Sequence, residues 1–450
     1  MPSCCEREQC PGTRCWGFCV RLPGEARQII QRHDSDESAG ENALLVGVAS
    51  GARSRSSTEA SVEELGLLAQ AAGASVVGTV IQERPRKDAA TLIGRGKVLE
   101  VARLPEERSA DVLLFDDELS PAQQRNLEEA VGRKTLDRTQ LILDIFARRA
   151  RTREGRLQVE LAQLDYMLPR LTGKGVMLSR LGGGIGTRGP GETKLETDRR
   201  RIRQRIQHIR REIEKVRRDR HTRQEGRRRR DVPLVALVGY TNAGKSTLFQ
   251  TLTHSTTQVS DQLFMTLDPL IRKVRLGPGR DLLLADTVGF IQKLPHSLVA
   301  AFRATLEEVT QADLLIHVMD ASAEDLEARE AAVEGVLREI GAGDRPRIPV
   351  LNKSDRLGAG QASRLRETRP GAVLVSALEG ETTELREELV RRLGLAPRSV
   401  RLRFAASDRR GIAGVYTSGR VVAHEVDGDE VRIEAEIPER MIERYREHLR

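Results

Sequence analysis

Residues 232–248 read VPLVALVGYTNAGKSTL, and this stretch decides the fold. The unbroken apolar run Leu234–Val238 suits a strand buried on both faces. It runs into Gly239-Tyr240-Thr241-Asn242-Ala243-Gly244-Lys245-Ser246, a match to G-x4-G-K-[ST]. Glycines at those positions let backbone N–H groups converge on phosphate oxygens without interference from Cβ. The helix predicted to start here adds the partial positive charge of its N-terminus. A lysine at Lys245 reaches β- and γ-phosphates, and a hydroxyl at Ser246 suits Mg²⁺. Strand, loop and helix in that order predict an α/β domain over 231–396, with a mostly parallel sheet and helices on both faces.

Motifs further along select the nucleotide. LLLADTVGF predicts a strand ending in Asp286, followed by Thr287, Val288 and Gly289. Asp286 is the carboxylate that holds the Mg²⁺ shell, and the Gly289 N–H can bind a γ-phosphate. Asn352-Lys353-Ser354-Asp355 matches N-K-x-D. Its aspartate can accept from guanine N1–H and the exocyclic amine, a donor pair that adenine does not present. Ser376-Ala377-Leu378 is the short loop expected to support guanine O6 through backbone N–H groups. Thr266, in Phe264-Met265-Thr266-Leu267-Asp268, lies between the phosphate loop and Asp286, where a threonine ligates Mg²⁺ only while a γ-phosphate is present. Lys245, Thr266 and Gly289 are therefore the candidate catalytic residues. The flanking residues through Thr247 complete the candidate GTP contacts, and Ser246 and Thr266 are the Mg²⁺ ligands, with Asp286 behind them. The position after Gly289, where related switches place a water-orienting glutamine, is Phe290, which cannot hydrogen-bond a water. Hydrolysis by the chain alone is expected to be slow and to be stimulated by a large partner. Asn242 matches an asparagine that helps some GTPases hold a monovalent cation, K⁺.

The rest of the 450-residue chain is organised around that domain. Residues 1–42 are expected to be a disordered extension carrying all five cysteines, whose spacings do not form C-x2-C repeats. Residues 43–147 predict a small α/β domain. Its strands lie at ALLVGVA, SVVGTVI and DVLLFD; one helix is N-capped by Ser61 with Glu64 three residues on, and another is opened by Ser120 and Pro121. In 148–230, Leu157, Leu161, Leu164, Leu168 and Leu171, then Ile202, Ile206, Ile209, Ile213 and Val216, repeat at 4,3 spacing. Two such seams predict an antiparallel helical hairpin, with 217–230 as a basic linker. The glycine-rich stretch 181–196, LGGGIGTRGPGETKLE, contains a G-x-G-x-x-G, but a helix and a polar connector precede it where a dinucleotide site needs a strand. It reads as the hairpin tip. Residues 397–450 predict a small α+β appendage: strands at RVVAHEV and EVRIEAEI and a terminal helix.

Window 148–230 holds 26 Lys/Arg against 10 Asp/Glu, a local excess of +16 in a chain whose net charge is +8. A basic block in an otherwise acidic chain points to a polyanion, nucleic acid first. Arg180, Arg188, Lys194, Arg199, Arg200 and Arg201 are the candidate RNA contacts. Tyr166 is the one aromatic in that window, which argues against base stacking. No 18-residue apolar run exists, and a monomeric, cytoplasmic protein is expected. His254, His296 and His317 sit in or beside apolar or helical segments and read as packing or surface residues.

Together SVEELGLLAQAAGASVVGTVIQ, IGRGKV, GGGIGTRGPGETKLETDRRRI, GYTNAGKSTL, LFMTLDP and DTVGFIQKLPHSLVAAFRATLEE resemble the HflX family of translation-associated GTPases over about residues 43–396. Met265 stands where the family pattern has alanine. The resemblance implies binding to the large (50S) ribosomal subunit in the GTP state, splitting of stalled or idle 70S ribosomes under stress, and a helical arm that reaches ribosomal RNA. Two alternatives are a ribosome-assembly GTPase and an RNA-remodelling module whose nucleotide site only regulates affinity.

Overall fold

In the computed structural model the described residues are 41–51, 54–171, 194–228, 232–255, 264, 270–277, 280–293 and 306–449, and from Asn42 onward the chain is one compact unit. The described residues form three sheets.

The first sheet has the order β2-β1-β3-β4 and is all parallel: β1 Asn42–Ser50, β2 Ser75–Arg84, β3 Val112–Phe115 and β4 Lys134–Asp137. Alternation along β1 divides its side chains between two cores. Leu45 joins Leu65, Leu68 and Phe146 from helices α1 (Arg55–Ala71) and α4 (Arg138–Arg149). Leu44, Val46 and Val48 join Val101 and Leu127 from α2 (Arg95–Arg108) and α3 (Pro121–Val131). Both faces are covered, so β1 reads as a continuous apolar run.

The capping predictions divide. Ser120 opens α3 as its cap, as expected, and Gln123 completes a capping box that the sequence reading did not name. Ser61 is not a cap: α1 starts at Arg55 on Ser54, two turns earlier. The Ser61 hydroxyl is buried and donates to Asp116 Oδ2 at 2.8 Å. A tertiary partner has taken the hydroxyl that local pattern assigned to a helix end.

Helix α5 (Arg153–Arg170) follows, and α6 runs from Lys194 to Arg228. The expected linker 217–230 is therefore helical through Arg228. Along α6 the predicted seam is the covered face: Ile206 and Ile209 are buried, and Ile202, Ile213 and Val216 are half-buried. On α5 the prediction shifts. Leu157, Leu161, Leu164 and Leu168 are half-buried, while Val159, Ala162 and Tyr166 enter the core of the first sheet. The helix packs on both α4 and α6, so it needs two apolar faces where the heptad reading saw one. Glu160 and Arg205 pair across α5 and α6 through two hydrogen bonds of 2.7 and 2.9 Å. Of the predicted tip at 181–196, residues 181–193 lie outside the described residues, as do the cysteines and His296, and its last three residues, Lys194 to Glu196, are the start of α6 rather than loop.

The second sheet is β10-β9-β8-β5-β7-β6, parallel except for β6 against β7. Its strands are β5 Leu234–Gly239, β6 Leu270–Arg275, β7 Asp281–Asp286, β8 Leu314–Asp320, β9 Arg347–Asn352 and β10 Val373–Leu374. Among the described residues, helices α7 (Lys245–Thr253), α8 (Glu307–Gln311), α9 (Leu326–Glu339), α10 (Ala359–Thr368) and α11 (Thr383–Arg392) accompany the sheet. Leu248 and Leu389 cover one face of the sheet, and Val309, Val333 and Leu337 cover the other.

The third sheet, β11-β13-β12, is antiparallel. Its outer strands are β11 Pro397–Ala405 and β12 Arg420–Asp427, and β13 Glu430–Pro438 lies between them. Val415 of α12 (Arg409–Ser418) packs into its core. The predicted terminal helix is instead one α turn, α13 (Glu439–Ile442), then a 3₁₀ segment, Glu443–His448.

Candidate nucleotide site

Parallel strands deliver their functional residues to one edge. Strand β5 ends at Gly239, β7 at Asp286 and β9 at Asn352, so three sequence motifs far apart in the chain share the carboxyl end of one sheet. That edge is where open α/β sheets bind ligands.

The phosphate loop needs its glycines. Gly239 has φ +153°, and a Cβ there would lie 2.1 Å from the Val318 carbonyl oxygen. Gly244 has φ +89°, and a Cβ would lie 2.1 Å from Asn352 Nδ2. Asn242 adopts the left-handed conformation at φ +60°, which asparagine tolerates better than most residues. Helix α7 starts directly after Gly244 with no side-chain cap, so its first N–H groups face the loop. Lys245 is buried and folds back over the loop, donating to the Gly239 and Tyr240 carbonyls at 3.0 and 2.7 Å. Burial lowers its ammonium pKa to about 8, against the opposing pull of Asp286.

Ser246 Oγ donates to Asp286 Oδ2 at 2.8 Å, and Asp286 is 1% exposed. A hydroxyl and a carboxylate side by side are hard oxygen donors, the chemistry Mg²⁺ takes. Among the described residues there is no group of three or more His, Cys, Asp or Glu that could hold a metal ion.

Asn352 ties the site together. Its Nδ2 donates to the Ala243 carbonyl at 2.9 Å, and its Oδ1 accepts from Ala377 N–H at 3.0 Å. One buried side chain thus links the phosphate loop to the loop after β10. Ser376 Oγ donates to Asp355 Oδ1 at 2.7 Å and accepts from Glu379 N–H at 3.2 Å. Lys353, at φ +65°, pairs with Asp320 at 2.7 Å. Asp355 and Leu378 are both exposed.

Other predicted residues lie outside the described residues or turn their side chains to other partners. Met265, Thr266, Leu267 and Asp268 are outside the described residues, as are Arg180 and Arg188. The Phe264 ring is not at the nucleotide edge: it is buried edge-to-face against Phe146, with centroids 4.7 Å apart. The Tyr240 hydroxyl likewise points away, donating to Glu64 and accepting from Gln292 N–H. Val288 is core, and Thr287 Oγ1 donates to the Leu237 carbonyl at 2.6 Å. Arg200 and Arg201 lie exposed on α6, and Arg199 is half-buried.

Phe290 is 1% exposed in the core with Tyr240 and Leu306. Its N–H donates to the Gly239 carbonyl at 3.1 Å, and its carbonyl accepts from Thr241 N–H at 2.7 Å. The ring anchors the segment after β7 to the phosphate loop. Sequence reasoning missed Asp116, which pairs with Lys293 of this segment, Glu64, which accepts from Tyr240, and Arg138, which holds both carboxylates, because these partners lie far apart in the chain.

Three family models match. They are described as GTP-binding GTPase N-terminal over residues 59–147, GTP-binding GTPase middle region over 149–227, and 50S ribosome-binding GTPase over 234–353. A GTPase HflX from Caldanaerobacter subterraneus subsp. tengcongensis is 45% identical across 91% of this chain and 94% of its own. GTPase HflX of Escherichia coli K12 is 45% identical across 78% of this chain and 82% of its own. A GTP-binding protein from Sulfolobus solfataricus, solved with GDP, is 24% identical, covers 78% of this chain and 98% of its own, and has a TM-score of 0.42.

Proposed function

The chain belongs to the HflX family of GTPases, and on that premise we propose that it is a GTP-driven switch that binds the 50S ribosomal subunit and splits stalled or idle 70S ribosomes. The observation that carries this reading is the convergence of Lys245, Ser246, Asp286, Asn352 and Asp355 at one sheet edge, in a chain that also carries the basic helix α6.

In this reading the phosphate-loop N–H groups and Lys245 hold the β- and γ-phosphates, and Asp355 selects guanine through paired acceptor oxygens. Ser246 and Thr266 hold Mg²⁺ with Asp286 behind Ser246, and the ion screens charge on the phosphates. Gly289 donates its N–H to the γ-phosphate. Asn242 provides the oxygen for K⁺. Phe290 is locked in the core and leaves the water-orienting position without a hydrogen-bonding side chain, so the ribosome completes the catalytic arrangement. Arg199, Arg200 and Arg201, with Arg180, Arg188 and Lys194 nearer the tip, contact RNA phosphates. Such contacts position the arm without reading sequence.

The test is GTP turnover with and without 50S and 70S particles, paired with sucrose-gradient profiles. Stimulation by particles, with 70S converting to subunits in a Lys245-dependent manner, is the expected result. Full-rate turnover by the chain alone, or splitting that survives Lys245→Ala, would overturn the reading.

A further inference from the structure

Beneath the segment that follows β7, charged groups from the first sheet meet residues of the phosphate loop. Arg138, only 2% exposed, donates from Nη1 to Asp116 Oδ1 at 2.8 Å and to the Ser61 carbonyl at 3.2 Å, and from Nη2 to Glu64. Burial pushes the Asp116 carboxyl up, and Arg138 and Lys293 outweigh that, holding it below the usual carboxylate range. The cluster then reaches across. Lys293 pairs with Asp116 and lies 3.7 Å from Asp117. Glu64 accepts from the Tyr240 hydroxyl, which itself accepts from Gln292 N–H at 2.8 Å. Apolar contacts run the same way: Val288, Ile291 and Phe264 belong to the core of the first sheet.

Gly289 sits inside this anchored segment and is pressed against the phosphate loop. A Cβ on it would lie 2.8 Å from Thr241 Cγ2 and 3.0 Å from Lys245 Nζ. A γ-phosphate held between Lys245 and the Gly289 N–H would need more room than this close approach leaves. GDP makes no such demand. Three and four residues along, Gln292 and Lys293 tie the same segment to Glu64, through Tyr240, and to Asp116.

We propose that Glu64 and Asp116 are positioning residues for GTP: acting through Tyr240 and Lys293, they hold the Gly289 segment in and set the preference between GTP and GDP. This rests on the nucleotide site assigned above. Linkage makes the effect reciprocal, so a γ-phosphate loosens the first sheet's grip on the segment to the same degree that the grip weakens GTP.

The experiment titrates full-length protein with fluorescent GDP and a non-hydrolysable fluorescent GTP analogue. Lys293→Met removes the ammonium and leaves Asp116 paired with Arg138. It should tighten the GTP analogue about tenfold, within the usual span of coupling between sites, while GDP changes less than about twofold. Lys293→Arg should restore the wild-type ratio, which a loss of mere structural support would not distinguish. Glu64→Gln is the second variant and should move the ratio in the same direction. In wild type, the GTP analogue should raise amide exchange in Arg138–Arg149 above its level with GDP. Equal shifts for both nucleotides, or an unchanged ratio in both variants, overturn the proposal while leaving the nucleotide site standing. A wild-type protein that binds neither nucleotide overturns the site and the proposal with it.

Discussion

Asn352→Ala tests the claim that one side chain welds the two halves of the nucleotide site together. Truncation removes the donor to the Ala243 carbonyl and the acceptor of the Ala377 N–H, at 2.9 and 3.0 Å. Ala243, Ala377 and Asn352 are all buried, so neither orphaned backbone group gains free access to water. Leaving a buried polar group unsatisfied costs about 1–3 kcal/mol. Two such groups put the loss at about 2–6 kcal/mol, a large fraction of a typical domain's stability. The two loops should also lose their shared geometry, so GTP and GDP should weaken by a common factor, because the tie lies between phosphate loop and base loop and does not touch the γ-phosphate. Urea denaturation followed by the fluorescence of a bound nucleotide analogue measures both effects. A stability change under about 0.5 kcal/mol with affinities intact would refute the reasoning, since it would mean that water or a small backbone shift satisfies both groups without cost.

Other outcomes follow from the buried charges and the arm. Lys245 has its pKa lowered to about 8, and phosphate binding needs the ammonium, so GDP binding at pH 8.5 should take up a proton. Calorimetry in buffers of differing ionisation enthalpy should detect that uptake, and Lys245→Met should abolish it. His317 is 2% exposed on β8, and burial lowers its pKa to about 4. The unfolded chain therefore binds the proton first as pH falls, and stability attributable to this group should be lost between about pH 6.5 and 4, by roughly 3 kcal/mol. His317→Gln should flatten that part of a stability-against-pH curve. Deleting 182–191 should leave GTP affinity unchanged and weaken action on ribosomes; loss of GTP binding by the isolated deletion protein would return that glycine-rich loop to a nucleotide role.

The nucleotide edge was legible because its chemistry is local. Gly239 to Ser246 is a contiguous loop, and the apolar run before it and the helix after it could each be read in place. Asp286 and Asn352 were recoverable because each ends an apolar strand, and parallel strands in one sheet bring such ends together. The α6 seam was legible for a similar reason, since spacing along one helix defines a face. Misreadings arose where a second partner intervened. Ser61 followed the rule for a helix cap until Asp116, 55 residues away, took its hydroxyl. The leucine stripe of α5 described one face of a helix that packs on two neighbours. Strand β4 and helix α4 share so short a boundary, at Asp137 and Arg138, that no turn signal separated them.

What the sequence determined by itself is therefore the phosphate loop, the order of the nucleotide motifs, the two α/β units and the basic helical stretch, because each depends on residues near one another in the chain. Only the tertiary structure decided that Phe264, Val288 and Ile291 belong to the core of the first sheet, and that Glu64 and Asp116 reach Tyr240 and Lys293. Those pairs are 176 and 177 residues apart. No periodicity or spacing encodes a contact across such a distance. The first sheet's unit gathers Glu64 and Asp116 around Arg138, and the two sheets must pack before those carboxylates can reach Tyr240 and Lys293.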